Sequence, residues 1–295
     1  MTKKALAIRE NTIFDGVFTK YVLKFIFSIW FKLRGWKVDE FPPEGAGVAI
    51  AAPHTSNWDF LFALGAAILQ DIKIYFSIKD TMCRVPLLGP CLMYLGAMPI
   101  DRSPQGKGQV EQIKDFIETQ KGRRVYFLFT PEGTRGTLTK WKTGFYHVAQ
   151  GCNLPIFLAR VDYKLKVTGT FHTFKLTGDK DQDIKTIQAA YQYIPGKEPI
   201  NQYPAYTGSL PKLTSEESQV ITTLYHNQDV LSATELAKKL NKETLRDSVI
   251  PSLIDKMLID EVLNETDEDS TALYQLSYMG KGASLHLMPQ GKEKA

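Results

Sequence analysis

A histidine and an aspartate five positions apart, His54 and Asp59, are the residues of this chain best suited to acid–base chemistry. A carboxylate bound to one imidazole nitrogen fixes the tautomer and raises the basicity, so the other nitrogen can take a proton from a hydroxyl. Positions five apart on an ideal helix point about 140° away from each other. The side chains can therefore meet only if His54 lies in a loop and Asp59 in the first turns of the helix that follows. The alternative is a histidine that caps a helix beside an unrelated aspartate.

The flanking residues predict the elements that would bring this pair together. The apolar run 47–52 predicts a buried strand, and residues 58–69 predict a helix. Pro53 favours a break between the two, and Ser56 or Asn57 is a suitable N-cap. We therefore expect His54 in the loop after a strand and Asp59 near a helix start.

Two further blocks carry groups that suit a phosphate. Arg102 follows a short apolar segment, and a polar turn containing Glu132, Gly133 and Arg135 follows a predicted strand that begins at Val125. Arginine makes bidentate contacts with phosphate oxygens, and a glycine lets backbone N–H groups approach a ligand closely. Glu132 could orient an arginine or accept a hydrogen bond from an acceptor hydroxyl. Taken singly, an arginine at a strand end is usually a solvated or salt-bridged surface group.

In order and spacing, these blocks resemble the glycerolipid acyltransferase family, which includes 1-acylglycerol-3-phosphate acyltransferase. The segments that carry the resemblance are His54 to Asp59 (the family's HxxxxD pair), Ile100-Asp101-Arg102, Pro131-Glu132-Gly133-Thr134-Arg135, Lys142-Thr143-Gly144-Phe145 and Leu154-Pro155-Ile156. The resemblance covers roughly residues 20–205. Thr130 stands where many members have an aromatic residue, and Gly136 where many have serine, so the resemblance indicates the chemistry better than the acceptor.

The resemblance implies an α/β fold with a mixed sheet flanked by helices, and transfer of a fatty acyl group to the hydroxyl of a lysolipid. The donor would be acyl-CoA or acyl carrier protein, with no other cofactor and no metal. The acceptor would be 1-acylglycerol-3-phosphate, in phospholipid synthesis. Another lysolipid, such as a lyso-ornithine lipid or a lysophospholipid, is the alternative.

The resemblance also implies a role for each matched residue. His54 would be the general base that removes the acceptor's proton, and Asp59 would orient it. Arg102 and Arg135 would hold the acceptor phosphate with help from the backbone of residues 133–134. The implied substrate-binding set is Arg102, Glu132, Gly133, Thr134, Arg135 and Lys142.

Other catalytic classes lack their motifs here. The chain has no G-x-S-x-G elbow, no G-x-x-x-x-G-K-[ST] phosphate loop and no G-x-G-x-x-G, which argues against an α/β-hydrolase or a nucleotide-binding enzyme. The five histidines form no ligand-like pair. The three cysteines include no CxxC, which indicates reduced thiols and a cytoplasmic setting.

The N-terminal segment 17–36 predicts an interfacial helix. It carries seven aromatic residues and four cations, and its uninterrupted apolar stretch is far shorter than the roughly 20 residues that span a bilayer. No small-residue cleavage site follows, so a signal peptide is disfavoured. Residues 1–212 hold 28 Lys and Arg against 18 Asp and Glu, a net charge of +10 that suits an anionic membrane. We expect a peripheral protein on the cytoplasmic face of a bacterial inner membrane; the alternative is a helix packed on the domain's own core.

The length of 295 residues predicts two domains. We expect a membrane-associated acyltransferase domain over residues 1–205 and a small winged-helix-like domain over residues 213–288, with a proline-rich boundary between them. Residues 161–167 and 169–174 predict two strands, and residues 183–193 predict a helix. The second domain is expected to contain helices 218–227, 232–240 and 243–258, the last kinked at Pro251, and then strands 259–263 and 272–276. Ser232 and Glu235 predict a capping box.

A winged helix raises the possibility of DNA binding, in a membrane-linked regulator that is not an enzyme. The composition opposes this, because residues 213–295 carry a net charge of −6 and the expected hairpin tip, residues 265–269, is acidic. A protein-interaction or dimerisation module agrees better with the charge. Its partner could be acyl-carrier handling machinery or the basic catalytic domain itself.

Overall fold

The computed structural model describes residues 6–42, 45–100, 108–120, 122–135, 140–204, 212–227, 230–242, 245–256, 258–262 and 272–277, with residues 280, 283, 284 and 287. The chain divides into two compact units. The first comprises residues 1–180 and 196–203, and the second comprises residues 181–195 and 204–295. The division into domains 1–205 and 213–288 stays a prediction.

The first unit alternates strands and helices. Its strands are β1 (Lys37–Val38), β2 (Ala46–Ala51), β3 (Lys73–Lys79), β4 (Ala97–Ile100), β5 (Val125–Phe129), β6 (Ile156–Asp162) and β7 (Val167–Phe174). Its helices are α1 (Lys24–Arg34), α2 (Trp58–Leu69), α3 (Asp80–Cys83), α4 (Leu88–Tyr94), α5 (Gln109–Thr119) and α6 (Gly144–Cys152). A π-helical turn, Thr19–Leu23, leads into α1, and short 3-10 turns lie at Ile13–Asp15 and Pro199–Asn201.

The seven strands form one mixed sheet in the order β1-β7-β6-β2-β5-β3-β4. All neighbours are parallel except β6 and β7, which are antiparallel. Every residue of β5 is buried, as are the four central residues of β2, which is the pattern of strands covered on both faces. The expected α/β architecture with a mixed sheet is confirmed.

The parallel arrangement determines where a site can form. Strand β2 pairs with β5 on one side and β6 on the other, both in parallel. The loops that follow these three strands therefore leave the sheet at the same edge. In parallel α/β sheets, the carboxyl ends of the strands are the usual place for a ligand.

The N-terminal helix packs against α2 at a glycine. A Cβ added to Gly65 would lie 2.6 Å from a ring atom of Phe27 and 2.7 Å from one of Phe31. Only a residue without a side chain allows this approach, and Phe31 is buried. The opposite face of the N-terminal helical segment is exposed and carries Phe25 and Leu33. Among the described residues, no helix is long and apolar enough to cross a membrane.

The predicted strand 161–167 is wrong, because β6 ends at Asp162 and a turn separates it from β7. The Asp162 carboxylate accepts hydrogen bonds from the backbone N–H groups of Lys164 and Leu165, at 3.0 and 2.9 Å. Lys166 then adopts a left-handed conformation with φ of 53°. Aspartate favours such turns because its side chain can bond to the backbone two residues on.

The second unit contains helices α7 (Lys180–Tyr191), α8 (Ser215–Asn227), α9 (Ala233–Leu240) and α10 (Val249–Asp255), with strands β8 (Leu231–Ser232), β9 (Ile259–Val262) and β10 (Leu273–Leu276). The strands form an antiparallel sheet in the order β8-β10-β9. Their core is a cluster of buried residues, mostly aliphatic, from α8, α9, α10 and the sheet, and it includes Tyr193 and Tyr274.

The starts of α9 and α10 test two of the sequence predictions. Ser232 caps α9 and forms the expected capping box with Glu235. The predicted helix 243–258 is wrong in extent, because α10 begins only at Val249. Pro251 is therefore the third helical residue, in the first turn, where a missing N–H costs no helical hydrogen bond and no kink is required. The acidic tip at 265–269 lies outside the described residues.

Candidate active site

His54 and Asp59 meet at the carboxyl edge of β2. His54 lies in the loop after the strand, and Asp59 is the second residue of α2, with Asn57 as the N-cap. The Nδ1 atom of His54 lies 3.1 Å from Oδ2 of Asp59. The histidine side chain is 17 % exposed and the aspartate side chain 7 %. The imidazole can therefore be reached from outside, while its partner is almost completely buried.

The surroundings of Asp59 define its chemical state. Its Oδ2 accepts hydrogen bonds from the backbone N–H groups of Thr55 and Ser56, both at 2.9 Å. A group surrounded by donors at a helix N-terminus is favoured as a carboxylate. Because a carboxylate can only accept, Nδ1 of His54 must carry the proton at their contact. The Nε2 atom is then the unprotonated nitrogen that can act as a base.

A tyrosine completes the support of this carboxylate. The hydroxyl of Tyr163 donates to Oδ1 of Asp59 at 2.6 Å, across 104 positions of sequence. Tyr163 is the first residue of the turn after β6, so the sheet brings it to the same edge as His54. Burial, followed by the contact with Asp59, raises the pKa of the tyrosine hydroxyl far above its ordinary value of 10.0, and it stays a donor. Sequence reasoning missed Tyr163, since it belongs to no recognised block.

Glu132 contacts the main chain of His54. Its Oε1 accepts a hydrogen bond from the backbone N–H of His54 at 3.1 Å, which ties the turn after β5 to the loop after β2. The residue is 2 % exposed, and its Oε2 is buried without a hydrogen-bond partner among the described residues. Glu132 therefore positions the backbone of His54 and keeps one oxygen unused.

Burial also changes the acidity of Glu132. Desolvation raises the pKa of this carboxyl from 4.5 to about 7, and the backbone N–H of His54 opposes the shift only in part. The group therefore titrates near neutral pH. It lies in contact with the main chain of the residue best suited to act as the base, which makes it a candidate for function on physical grounds.

The rest of the predicted phosphate site surrounds Gly133. This glycine has φ of +64°, and a Cβ built on it would lie 2.3 Å from Nζ of Lys142. Thr134, Arg135 and Lys142 are exposed, and the backbone N–H of Lys142 donates to the carbonyl of Pro131 at 2.7 Å. The structure thus places Gly133 against the lysine and leaves the neighbouring polar groups open to solvent. Arg102 lies outside the described residues.

An aromatic pocket of about 310 Å³ is lined in part by Tyr163, whose hydroxyl bonds to Asp59, and by Trp58, the residue before Asp59. Phe62 stacks between Trp36, with ring centroids 3.7 Å apart, and Trp30, with centroids 4.9 Å apart. The cationic side chains of Arg34, Lys166 and Lys197 complete the lining. The pocket therefore combines apolar walls with positive charge. Among the described residues, no three His, Cys, Asp or Glu side chains are grouped as a metal ion would require.

Three comparisons relate this chain to known proteins. The crystal structure of the 1-acyl-sn-glycerophosphate acyltransferase PlsC from Thermotoga maritima matches with 14 % identity and a TM-score of 0.39, over 57 % of this chain and 78 % of that one. No curated protein matches the chain. Residues 37–159 match the family model described as Acyltransferase. The segment that carries His54, Asp59 and Glu132 is thus similar in sequence to the Acyltransferase family.

Proposed function

We propose that this chain is an acyltransferase that moves a fatty acyl group from a thioester to the hydroxyl of a lysolipid. The observation that carries the proposal is the supported pair of His54 and Asp59, within a segment that matches the Acyltransferase model. The histidine is accessible and its partner is buried and held by three other donors. This is the arrangement that a general base needs.

In the proposed reaction, Nε2 of His54 takes the proton of the acceptor hydroxyl while the oxygen attacks the thioester carbonyl carbon. The resulting tetrahedral intermediate collapses, the C–S bond breaks, and the imidazolium returns its proton to the thiolate. The products are an ester and a free thiol. Positioning and general-base catalysis provide the rate, so no acyl-enzyme is required and no cofactor beyond the donor is invoked. The donor is acyl-CoA or acyl carrier protein.

For the acceptor, we propose a lysolipid with a phosphate, and 1-acylglycerol-3-phosphate in particular, as in phospholipid synthesis. Arg135 and Lys142 are exposed cations, Lys142 lies against the left-handed Gly133, and Thr134 and Arg135 follow that glycine directly in sequence. Such a cluster suits a phosphate group. Arg102 belongs to the same proposal by its motif.

The aromatic pocket is a suitable place for the apolar part of a lipid substrate. Its walls are rings from α1, the connection between α1 and β1, α2 and the turn after β6, and its volume lies at the lower end of the range for ligand sites. Tyr163 is shared between the pocket and the carboxylate of Asp59. A chain bound there would lie against Tyr163, the residue that bonds to Asp59.

We also propose that the N-terminal helix attaches the protein to the cytoplasmic face of a bacterial inner membrane. Its exposed face carries large apolar residues, with Leu33 at 81 %, Tyr21 at 73 % and Phe25 at 65 % exposure. The same helix buries Phe31 and uses Gly65 of α2 for close packing. The helix therefore has one face for the domain and one left for lipid, with lysines at its margins.

For residues 213–288 we propose a winged-helix-like module that binds a protein partner. The order α8-β8-α9-α10-β9-β10, with β8 and β9 flanking β10, supports the winged-helix interpretation. The net charge of −6 argues for a basic partner surface instead of DNA.

Acyl transfer to a panel of lysolipids, from an acyl-CoA and from an acyl carrier protein, tests the proposal. We expect His54→Ala to lower kcat by about 10²–10⁴-fold. His147→Ala is the matched control, because His147 is an exposed histidine on α6. Circular dichroism checks that both variants fold. Equal transfer by wild type and His54→Ala, or no transfer from any donor to any acceptor, would contradict the proposal.

A further inference from the structure

The connection between α3 and α4 holds a leucine in a strained conformation. Leu87 has φ of 64° and ψ of −49°, and the N–H of Leu88 donates to the carbonyl of Pro86 at 2.7 Å. These values describe a γ-turn of the rare, strained kind, which a bulky residue seldom adopts. Strain of this sort persists only when the surrounding structure imposes it, and it is concentrated at functional positions.

The strained leucine is also almost completely exposed. Leu87 is 90 % exposed, and Met82, Val85 and Leu88 around it are 40 %, 38 % and 43 % exposed. No charged residue occurs between Val85 and Gly96. Single exposed apolar residues are ordinary on protein surfaces, but a contiguous group at one tip marks an interaction surface. We call residues 82–88 the leucine tip.

The base of the leucine tip is firmly built. A Cβ on Gly89 would lie 2.0 Å from the carbonyl oxygen of Cys83, so the two short helices approach as closely as a glycine permits. Cys83 is buried, and Arg84 pairs with Asp80 at 2.9 Å. The tip is therefore presented to solvent by a packed hairpin and not by a loose loop.

The hairpin also adjoins the start of the N-terminal helix. Tyr94, near the end of α4, has its hydroxyl 3.7 Å from the position of a Cβ on Gly16. The guanidinium of Arg9 lies 5.3 Å from the centre of the Tyr94 ring. The exposed apolar residues of the helix begin directly after Gly16, with Val17 and Phe18. Through Tyr94, the α3–α4 hairpin therefore approaches the chain at Gly16, the residue before these exposed apolar residues, and the guanidinium of Arg9 lies near the same ring.

We propose that the leucine tip inserts into the interfacial layer of an anionic phospholipid bilayer, as a second attachment point besides the N-terminal helix. Apart from Arg84, which is paired with Asp80, the tip offers no charged or amide side chain with which a protein partner could be specified. Lipid requires only that apolar groups enter and that cations stay at the surface. Arg9 and the exposed Lys79 satisfy the second condition. The proposal rests on the membrane location proposed above, but not on the proposed chemistry.

Sedimentation with vesicles of phosphatidylglycerol and phosphatidylcholine tests the proposal on the full chain. We expect Leu87→Asp to weaken vesicle binding by about tenfold or more, because one leucine side chain is no longer buried in lipid and a charge takes its place. Ile200→Asp is the matched control, since Ile200 is 86 % exposed on the 3-10 turn at 199–201 and lies outside the tip. It should bind vesicles like wild type. Equal binding by Leu87→Asp and wild type would overturn the proposal.

A tryptophan at the tip gives a second measurement that does not depend on a charged variant folding. We expect Leu87→Trp to show additional fluorescence quenching by brominated phospholipids, and Ile200→Trp to show none beyond wild type. Additional quenching in neither variant would overturn the proposal. Acyl transfer to a detergent-dispersed lysolipid should be unchanged in Leu87→Asp. Loss of vesicle binding with retained transfer separates this proposal from the proposed chemistry.

Discussion

Replacing Glu132 with glutamine should make the first unit less sensitive to alkaline pH. The amide oxygen of glutamine can still accept the hydrogen bond from the backbone N–H of His54, and the volume hardly changes. The substitution therefore removes the titration of a buried carboxyl and little else. Glu132 suits this experiment because it is 2 % exposed, so solvent screens its charge very little.

The size of the effect on the free energy of unfolding follows from the pKa of Glu132, which is 4.5 in the unfolded chain and about 7 in the folded one. Below pH 4.5 the carboxyl is protonated in both states and has no effect on the free energy of unfolding. Between the two values the folded state binds more protons than the unfolded state, so stability falls as pH rises. Above pH 7 the buried carboxylate of Glu132 lowers the free energy of unfolding by its full amount. At 1.36 kcal/mol per pKa unit, this loss of stability amounts to about 3 kcal/mol.

Tryptophan fluorescence during urea unfolding is the appropriate assay, because all four tryptophans lie in the first unit. Between pH 5 and pH 8.5, the free energy of unfolding of Glu132→Gln should rise by about 2–3 kcal/mol relative to wild type. The titration of all other groups is common to both proteins, so it cancels when the free energy of unfolding of wild type is subtracted from that of the variant. Glu118→Gln, at an exposed position of α5, serves as the control. If the difference in free energy of unfolding between Glu132→Gln and wild type stays constant over this pH range, the reasoning is refuted.

Three further substitutions test other parts of the structure. Asp59→Asn should lower kcat by about 10²–10⁴-fold with an unchanged circular dichroism spectrum, because a neutral amide has one acceptor oxygen in place of two and no charge to stabilise the imidazolium of His54; activity within twofold of wild type would count against the pair. Gly133→Ala should cost about 1–2 kcal/mol in urea unfolding, since alanine is disfavoured at φ of +64°. It should also raise KM for the acceptor by displacing Lys142, so an unchanged KM would argue against that lysine at the acceptor site. Ser232→Ala should lower the stability of the second unit by about 1 kcal/mol, measured by circular dichroism, through loss of the cap on α9; no change would mean that the capping box contributes nothing.

The sequence by itself determined the local features of this protein. The apolar run and the helical periodicity placed β2 and α2, and the spacing of five required His54 in the loop and Asp59 in the first turn. The capping box at Ser232 was equally readable, because a cap depends on residues only three positions apart. Predictions failed where a local signal had two interpretations. Asp162 ends a strand that the sequence pattern predicts to continue, and Pro251 lies in the first turn of its helix and not in the interior.

Only the tertiary structure decided what surrounds the pair. Tyr163 reaches Asp59 across 104 positions, and Glu132 reaches the backbone of His54 across 78. Neither contact has a periodic signal in the sequence, and each depends on the order of strands in the sheet. The parallel pairing of β2 with β5 and β6 brings the three loops to one edge, where burial gives Glu132 its raised pKa. Hydrophobic periodicity reports which face of an element is buried, but it does not report which elements become neighbours.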